Sequence, residues 1–200
     1  MSGRSVRSVY GFVLTGGKSS RMGRDKALLE IGGQTLLSRT VAALHLVSQD
    51  IAIVGGAEYS GYGPTMPDLF PGCGPLAGIH AALAHSTAEL NVIVAVDMPF
   101  VSSELLRFLY AAAVSSGAIV TVPRTARGFQ PLCAVYRREF RPVAEQALRA
   151  GNYKVDAAFA SVSLRILDEL ELAAAGFSEK NFYNVNTPED LRSVGASLAP

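Results

Sequence analysis

Asn91 to Val96 constrains the fold more than any other stretch. Val92-Ile93-Val94-Ala95-Val96 is apolar at every position, so a strand formed here must bury both faces. Such strands belong at the centre of a parallel sheet covered by helices on both sides. Val9 to Leu14, Ile51 to Val54, Ala118 to Val122 and Leu132 to Tyr136 read as further short strands, and Ser161 to Leu167 is strand-like. Helical spacing separates them: Gln34 to Val47, Leu76 to His85, a segment capped by Ser102 or Ser103 and running to about Ser115, and Glu139 to Ala150 before Gly151. Thr187 is placed to cap a last helix, with Pro188 at its first position and Asp190 at its third. This alternation predicts an α/β fold: a three-layer α/β/α, Rossmann-like architecture with a mostly parallel sheet. Folds of this kind bind ligands at the carboxyl ends of their strands.

Two features fall at such ends. The first is Leu14-Thr15-Gly16-Gly17-Lys18-Ser19-Ser20-Arg21-Met22-Gly23-Arg24-Asp25-Lys26, which follows the first strand. Its glycines allow sharp turns and close approach to a ligand. Backbone N–H groups exposed in such a turn form an anion-binding concavity. Lys18, Arg21, Arg24 and Lys26 surround it with positive charge. Two common phosphate motifs do not fit. A P-loop requires glycine where Phe12 stands, and G-x-G-x-x-G is absent because the next glycine after Gly16-Gly17 is Gly23. The chemistry expected is a polyphosphate held by a loop of a different kind. Lys26 serves as a point charge and Arg21 as a planar fork, while Asp25 is better suited to bracing the loop than to binding metal.

The second feature is Asp97, in Asp97-Met98-Pro99-Phe100 at the exit of the central strand. Magnesium is usually held by one or two carboxylates together with substrate phosphates, and Asp97 is the ligand expected for Mg2+. The competing reading is an acid near the N-terminus of the following helix.

The first loop, as Gly16-Gly17-x-Ser19-x-Arg21-Met22-Gly23-x-Asp25-Lys26, resembles the signature loop of the molybdenum cofactor guanylyltransferase family. Pro67-Asp68 with Gly74-Pro75-Leu76-Ala77-Gly78, then Asp97-Met98-Pro99, then Asn184-Val185-Asn186-Thr187-Pro188 resemble that family's later motifs in the same order. The resemblance implies transfer of GMP from GTP to the terminal phosphate of molybdopterin, with release of pyrophosphate. It implies that Leu14, Thr15, Gly16 and Gly17 meet the nucleotide, that Lys26 meets phosphate, and that Asp68 meets the nucleoside. It also implies that Asp97 serves both magnesium and GTP, and that Asn184 and Asn186 lie on the pterin side or near the metal. The catalytic set expected is Lys26, Arg21 and Asp97. Residues 9–100 would form the GTP and magnesium part of one domain spanning 1–200, and residues 101–192 the pterin side. Related enzymes transfer CMP to the same pterin or nucleotides to sugar phosphates or phospholactate, and a nucleotide-binding regulatory protein on the same fold is the non-enzyme alternative. Arg124, Arg127, Arg137, Arg138 and Lys154 are further cations that could meet an anionic pterin.

Bulk properties narrow the partners. The net charge is +1 and charged residues make up 18%, so no global field favours nucleic acid or a membrane surface. No apolar run approaches a membrane span. Cys73 and Cys133 give neither a disulfide framework nor metal spacing, which suits the cytoplasm. His45, His80 and His85 lack partners at metal spacing and read as ordinary helix residues. The family suggests transient contact with other molybdenum cofactor biosynthesis proteins.

Overall fold

A computed structural model describes residues 8–16 and 25–198. Strands β1 (Val9–Leu14), β4 (Asp50–Val54), β5 (Thr65–Met66), β6 (Leu90–Ala95), β7 (Val120–Thr125), β9 (Cys133–Arg137) and β10 (Leu164–Leu167) form the main sheet, in the order β10-β7-β9-β6-β1-β4-β5. A short strand β8 (Gly128–Phe129) pairs with β7. β1 lies between β6 and β4, parallel to both, and β5 continues parallel on β4. β9 runs antiparallel to both β6 and β7, and β10 is again parallel to β7. The mostly parallel sheet expected from the sequence is therefore present, with β9 reversed within it and the short β8 antiparallel to β7.

The pleat explains the three layers. Successive side chains of a strand point to opposite faces. In β1, Phe12 and Leu14 enter one core and Val13 the other; in β4, Ala52 and Val54 part from Ile51 and Ile53; in β6, Ile93 parts from Val92 and Val94. One core is closed by helices α1 (Leu36–His45) and α3 (Ser103–Ser116), the other by α2 (Pro75–His85), α4 (Phe140–Arg149) and α5 (Val155–Phe159). Each buried Leu, Val, Ile or Phe contributes about 1.5–3 kcal/mol of transfer free energy.

Helix ends follow the expected chemistry in most places. Ser102 Oγ accepts from Leu105 N, and Gly117 ends α3 in the left-handed region at φ 69°. Gly151 does the same after α4, at φ 74°. Helix α7 (Pro188–Leu198) begins as predicted: Thr187 Oγ1 accepts from Asp190 N, and the Asp190 carboxylate accepts from the amides of Asn186 and Thr187. Tyr183 Oη donates to the same carboxylate at 2.5 Å, and this bond, with the two amides, holds the Asp190 carboxyl down at about 2.

Four details differ from the sequence reading. Helix α1 starts at Leu36 rather than Gln34, because β2 (Glu30–Ile31) and β3 (Gln34–Thr35) form a hairpin. Its turn is Gly32-Gly33, with φ 61° and 77°. Two consecutive positive φ values define a tight hairpin turn that glycine adopts without steric cost. The segment after β4, assigned no element from sequence, holds a 3-10 helix, Ala57–Tyr62, and strand β5. Two short helices, α5 and α6 (Glu169–Ala174), and a 3-10 turn at Glu179–Phe182 occupy regions assigned no helix from sequence. The expected strand at Ser161 narrows to Leu164–Leu167.

Candidate active site

The carboxyl ends of β1, β4, β5 and β6 lie along one sheet edge and are stitched by main-chain bonds. Val96 N donates to Leu14 O at 3.0 Å, Thr15 N to Val54 O at 3.1 Å, and Gly55 N to Met66 O at 2.9 Å. The loops leaving these strands therefore start from a rigid line. Helix α2 packs closely beneath it: a Cβ on Gly78 would lie 3.2 Å from Leu14 Cδ1.

Lys26 and Asp97 meet at this edge. Lys26 is the first residue of a one-turn 3-10 helix, Lys26–Leu28, whose N-cap is Asp25. Lys26 Nζ lies 3.5 Å from Asp97 Oδ2 and donates to Asn186 Oδ1 at 2.8 Å. Asp97 follows β6, and its carbonyl accepts from Val185 N at 2.8 Å. The segment before α7 is thereby laid across the strand exit, and Asn181 Nδ2 adds a bond to Phe100 O at 3.2 Å. Residues separated by most of the chain thus converge on one ammonium group.

Electrostatics decide what this arrangement asks for. The Lys26 and Asp97 side chains are only 19% and 23% exposed. Burial pushes the Asp97 carboxyl above the usual aspartate range, and the Lys26 charge and hydrogen bond pull it back only in part. Opposite charges about 4 Å apart gain roughly 4 kcal/mol at an intermediate dielectric. Desolvation nevertheless wins here, so the carboxylate is under-compensated and would gain from a further cation. Among the described residues no group of three or more His, Cys, Asp or Glu side chains could hold a metal ion. A single aimed carboxylate fits an ion shared with substrate phosphates, and it does not fit a metal caged by protein alone.

The other expected site residues divide. Gly17 and Arg21, with Lys18 and Arg24, lie outside the described residues. Leu14 is buried, its side chain against α2 and its carbonyl taken by Val96 N. Thr15 turns both its amide and its hydroxyl to Val54 O. Gly16 is exposed, and a Cβ there would meet nothing among the described residues within 4 Å. Any contact of this trio with a base therefore falls to main-chain groups of Thr15 and Gly16. Asp68 follows β5 at the same edge, where Oδ1 accepts from Phe70 N at 2.9 Å and burial raises its carboxyl. Asn186 joins the Lys26 cluster, whereas Asn184 Nδ2 makes a long bond to Phe182 O.

The additional cations also separate. Arg137 is buried and donates to Ala118 O and Ala113 O while pairing with Glu89. It faces Leu90 across β6, at the opposite end of that strand from Asp97, so it holds the sheet together and cannot serve this edge. Arg127 pairs with Glu179 at 2.5 Å. Lys154 lines a cavity of about 320 Å3 with Pro75, Pro131, Leu132, Tyr153 and Val155. Cys73 is free and partly exposed.

Tyr59 escaped the sequence reading. Its hydroxyl donates to Asp25 Oδ2 at 2.7 Å while Asp25 Oδ1 accepts from Ala27 N. Burial and the Asp25 carboxylate push the phenol well above its usual range. No local pattern around Tyr59 announces a partner 34 positions away.

Known proteins share this arrangement of sequence and fold. Residues 11–164 match the family model described as the MobA-like NTP transferase domain. A probable molybdenum cofactor guanylyltransferase of Pelotomaculum thermopropionicum is 41% identical over 90% of this chain and 89% of its own length. A molybdenum cofactor guanylyltransferase of Desulfosudis oleivorans is 32% identical over 96% of each. The crystal structure of molybdopterin-guanine dinucleotide biosynthesis protein A from Archaeoglobus fulgidus superposes with a TM-score of 0.81 at 27% identity, over 94% of this chain and 97% of that one. A 2-C-methyl-D-erythritol 4-phosphate cytidylyltransferase from Thermus thermophilus shares the fold, with a TM-score of 0.68 at 20% identity over 93% and 96% of the two chains. The chain belongs to the MobA-like NTP transferase family and is a nucleotidyltransferase of the molybdenum cofactor guanylyltransferase group.

Proposed function

We propose that this enzyme transfers GMP from GTP to the terminal phosphate of molybdopterin. An oxygen of the acceptor phosphate attacks the α-phosphorus, the bond from that phosphorus to the bridging oxygen breaks, and pyrophosphate leaves with the electron pair. The product is the guanine dinucleotide form of the pterin. The observation that carries this reading is the convergence of Lys26, Asp97 and Asn186 at the strand exits, in a chain 41% identical to a probable guanylyltransferase.

The residues take roles that their chemistry supports. Lys26 is held by neutral Asn186 and by Asp97, so its ammonium is partly desolvated and fixed where phosphate charge develops. A fixed charge in a water-poor site needs no reorganisation during reaction, which is where electrostatic catalysis is strongest. Gly16 and the residues after it would hold the triphosphate, with Arg21 as a second clamp. Asp68 would meet the nucleoside and Asn184 the acceptor side. Asp97 would hold Mg2+, whose charge offsets that of the phosphates and of the leaving pyrophosphate. With no covalent enzyme intermediate in the reaction, positioning and electrostatics supply the acceleration. The single unit 1–200 would divide into a nucleotide part, 9–100, and an acceptor part, 101–192.

Thermal unfolding with GTP, CTP, ATP and UTP, each with and without magnesium, tests the reading. A ligand that binds only the folded state raises the midpoint in proportion to its affinity. The expected result is a magnesium-dependent rise with GTP that exceeds the other three. A larger rise with CTP would contradict the guanine assignment.

A further inference from the structure

Thr15 and Asp25 are described residues beside the first loop, and Tyr59 lies next to both: it bonds Asp25 and shares with Thr15 the space above Gly55. Tyr59 sits on the 3-10 helix Ala57–Tyr62 and is only 6% exposed. Its hydroxyl donates to Asp25 Oδ2 at 2.7 Å. Thr15 lies on the other side, with its own hydroxyl donating to Val54 O at 2.9 Å. Thr15 and Tyr59 close over Gly55: a Cβ there would stand 2.1 Å from Thr15 Oγ1 and 2.9 Å from the Tyr59 ring. The missing side chain at Gly55 is the space that Thr15 and the Tyr59 ring share.

Ring packing alone does not account for this arrangement, since phenylalanine would fill the same space. The hydroxyl adds a bond to a carboxylate that already caps the turn carrying Lys26. We propose that Tyr59 is a positioning residue, whose hydroxyl braces the Asp25 cap and so fixes Lys26 against Asn186 and Asp97. The inference rests on the reading of Lys26 as a nucleotide clamp. Tyr59 itself touches no substrate. It acts through the Asp25 cap, and its contribution vanishes when the Lys26 ammonium is removed.

A double-mutant cycle separates this role from simple support of the fold. Binding of magnesium–GTP is measured by calorimetry for the wild type, Tyr59→Phe, Lys26→Ala and the double variant, alongside the unfolding midpoint of each without ligand. Tyr59→Phe is expected to weaken binding about tenfold in the wild-type background, the scale for a lost hydrogen bond to a charged group. In the Lys26→Ala background the same change should cost less than about twofold, because coupled sites are non-additive. Asp25→Asn keeps an oxygen for the Ala27 amide and disturbs the side facing Tyr59, so it should reproduce the loss. Equal losses in both backgrounds, or none in the first, would overturn the proposal. Magnesium–CTP is titrated in parallel: tighter binding of CTP overturns the guanine reading while leaving the Tyr59 cycle readable on CTP. Failure of the wild type to bind either nucleotide overturns both.

Discussion

Lys26 Nζ donates to Asn186 Oδ1 at 2.8 Å, across 160 positions of sequence. The contact is shorter than that to Asp97, at 3.5 Å. A neutral oxygen therefore makes the closer contact, and it fixes the ammonium without neutralising it. Asn186→Ala should lower kcat/KM about tenfold, as expected when a clamp is left mobile. Asn186→Asp places a second carboxylate on Lys26 and should weaken nucleotide binding more than the alanine variant does. Steady-state kinetics and calorimetry with GTP check both.

Asp97 is the carboxylate left under-compensated by burial. Asp97→Asn keeps its shape and removes its charge. The expected loss is about 10²–10³-fold in rate, the scale for one electrostatic stabiliser, with a higher magnesium concentration needed for half-maximal turnover. The unfolding midpoint should also fall, because removing one partner leaves the Lys26 ammonium without its counter-charge. Turnover as a function of magnesium, with an unfolding curve for each protein, measures all three.

Gly55 is predicted to tolerate no side chain. An added Cβ would stand 2.1 Å from Thr15 Oγ1 and 2.9 Å from two Tyr59 ring carbons. Gly55→Ala must displace both groups, with a cost of about 1–3 kcal/mol as for other overpacked sites. Denaturant unfolding measures the stability change, and nucleotide affinity should fall with it because Tyr59 and Asp25 move together.

His80 makes stability depend on pH. It is buried against Phe70, at 5.1 Å between ring centroids, and faces Glu145 Oε2 at 3.7 Å, with Asp68 and Arg141 nearby. Burial pushes its imidazole below the usual value, and the Glu145 and Asp68 charges recover only part. The folded state therefore favours the neutral ring. Its contribution is complete above about pH 6.5, the ordinary histidine value, and is lost as pH falls from there through the depressed folded value. His80→Leu should flatten this part of the profile. Denaturant midpoints from pH 8 to 5 for both proteins provide the check.

The sequence was most informative where physics is local. The both-face apolar run at β6, the Thr187–Asp190 cap and the glycine after α4 each depend on neighbours within a few residues, and each stands where it was read. Strand direction was harder. Leu132 to Tyr136 has the composition of a strand, yet nothing in it announces the reversal of β9, which follows from its long-range pairing with β6 and β7. That reversal carries Arg137 to the far end of the sheet, away from Asp97. Tyr59 and Asn186 were underestimated for the same reason. Their partners, Asp25 and Lys26, are brought to them by the sheet and by no spacing that sequence displays.

The most direct measurement is product identity. Purified protein is incubated with molybdopterin, magnesium and either GTP or CTP, and the pterin products and pyrophosphate are quantified by mass spectrometry and a coupled assay. The account predicts the molybdopterin guanine dinucleotide and one pyrophosphate per product from GTP, with little from CTP, and loss of both products in Asp97→Asn. A cytosine dinucleotide as the main product, or a guanine dinucleotide formed at undiminished rate by Asp97→Asn, would contradict it.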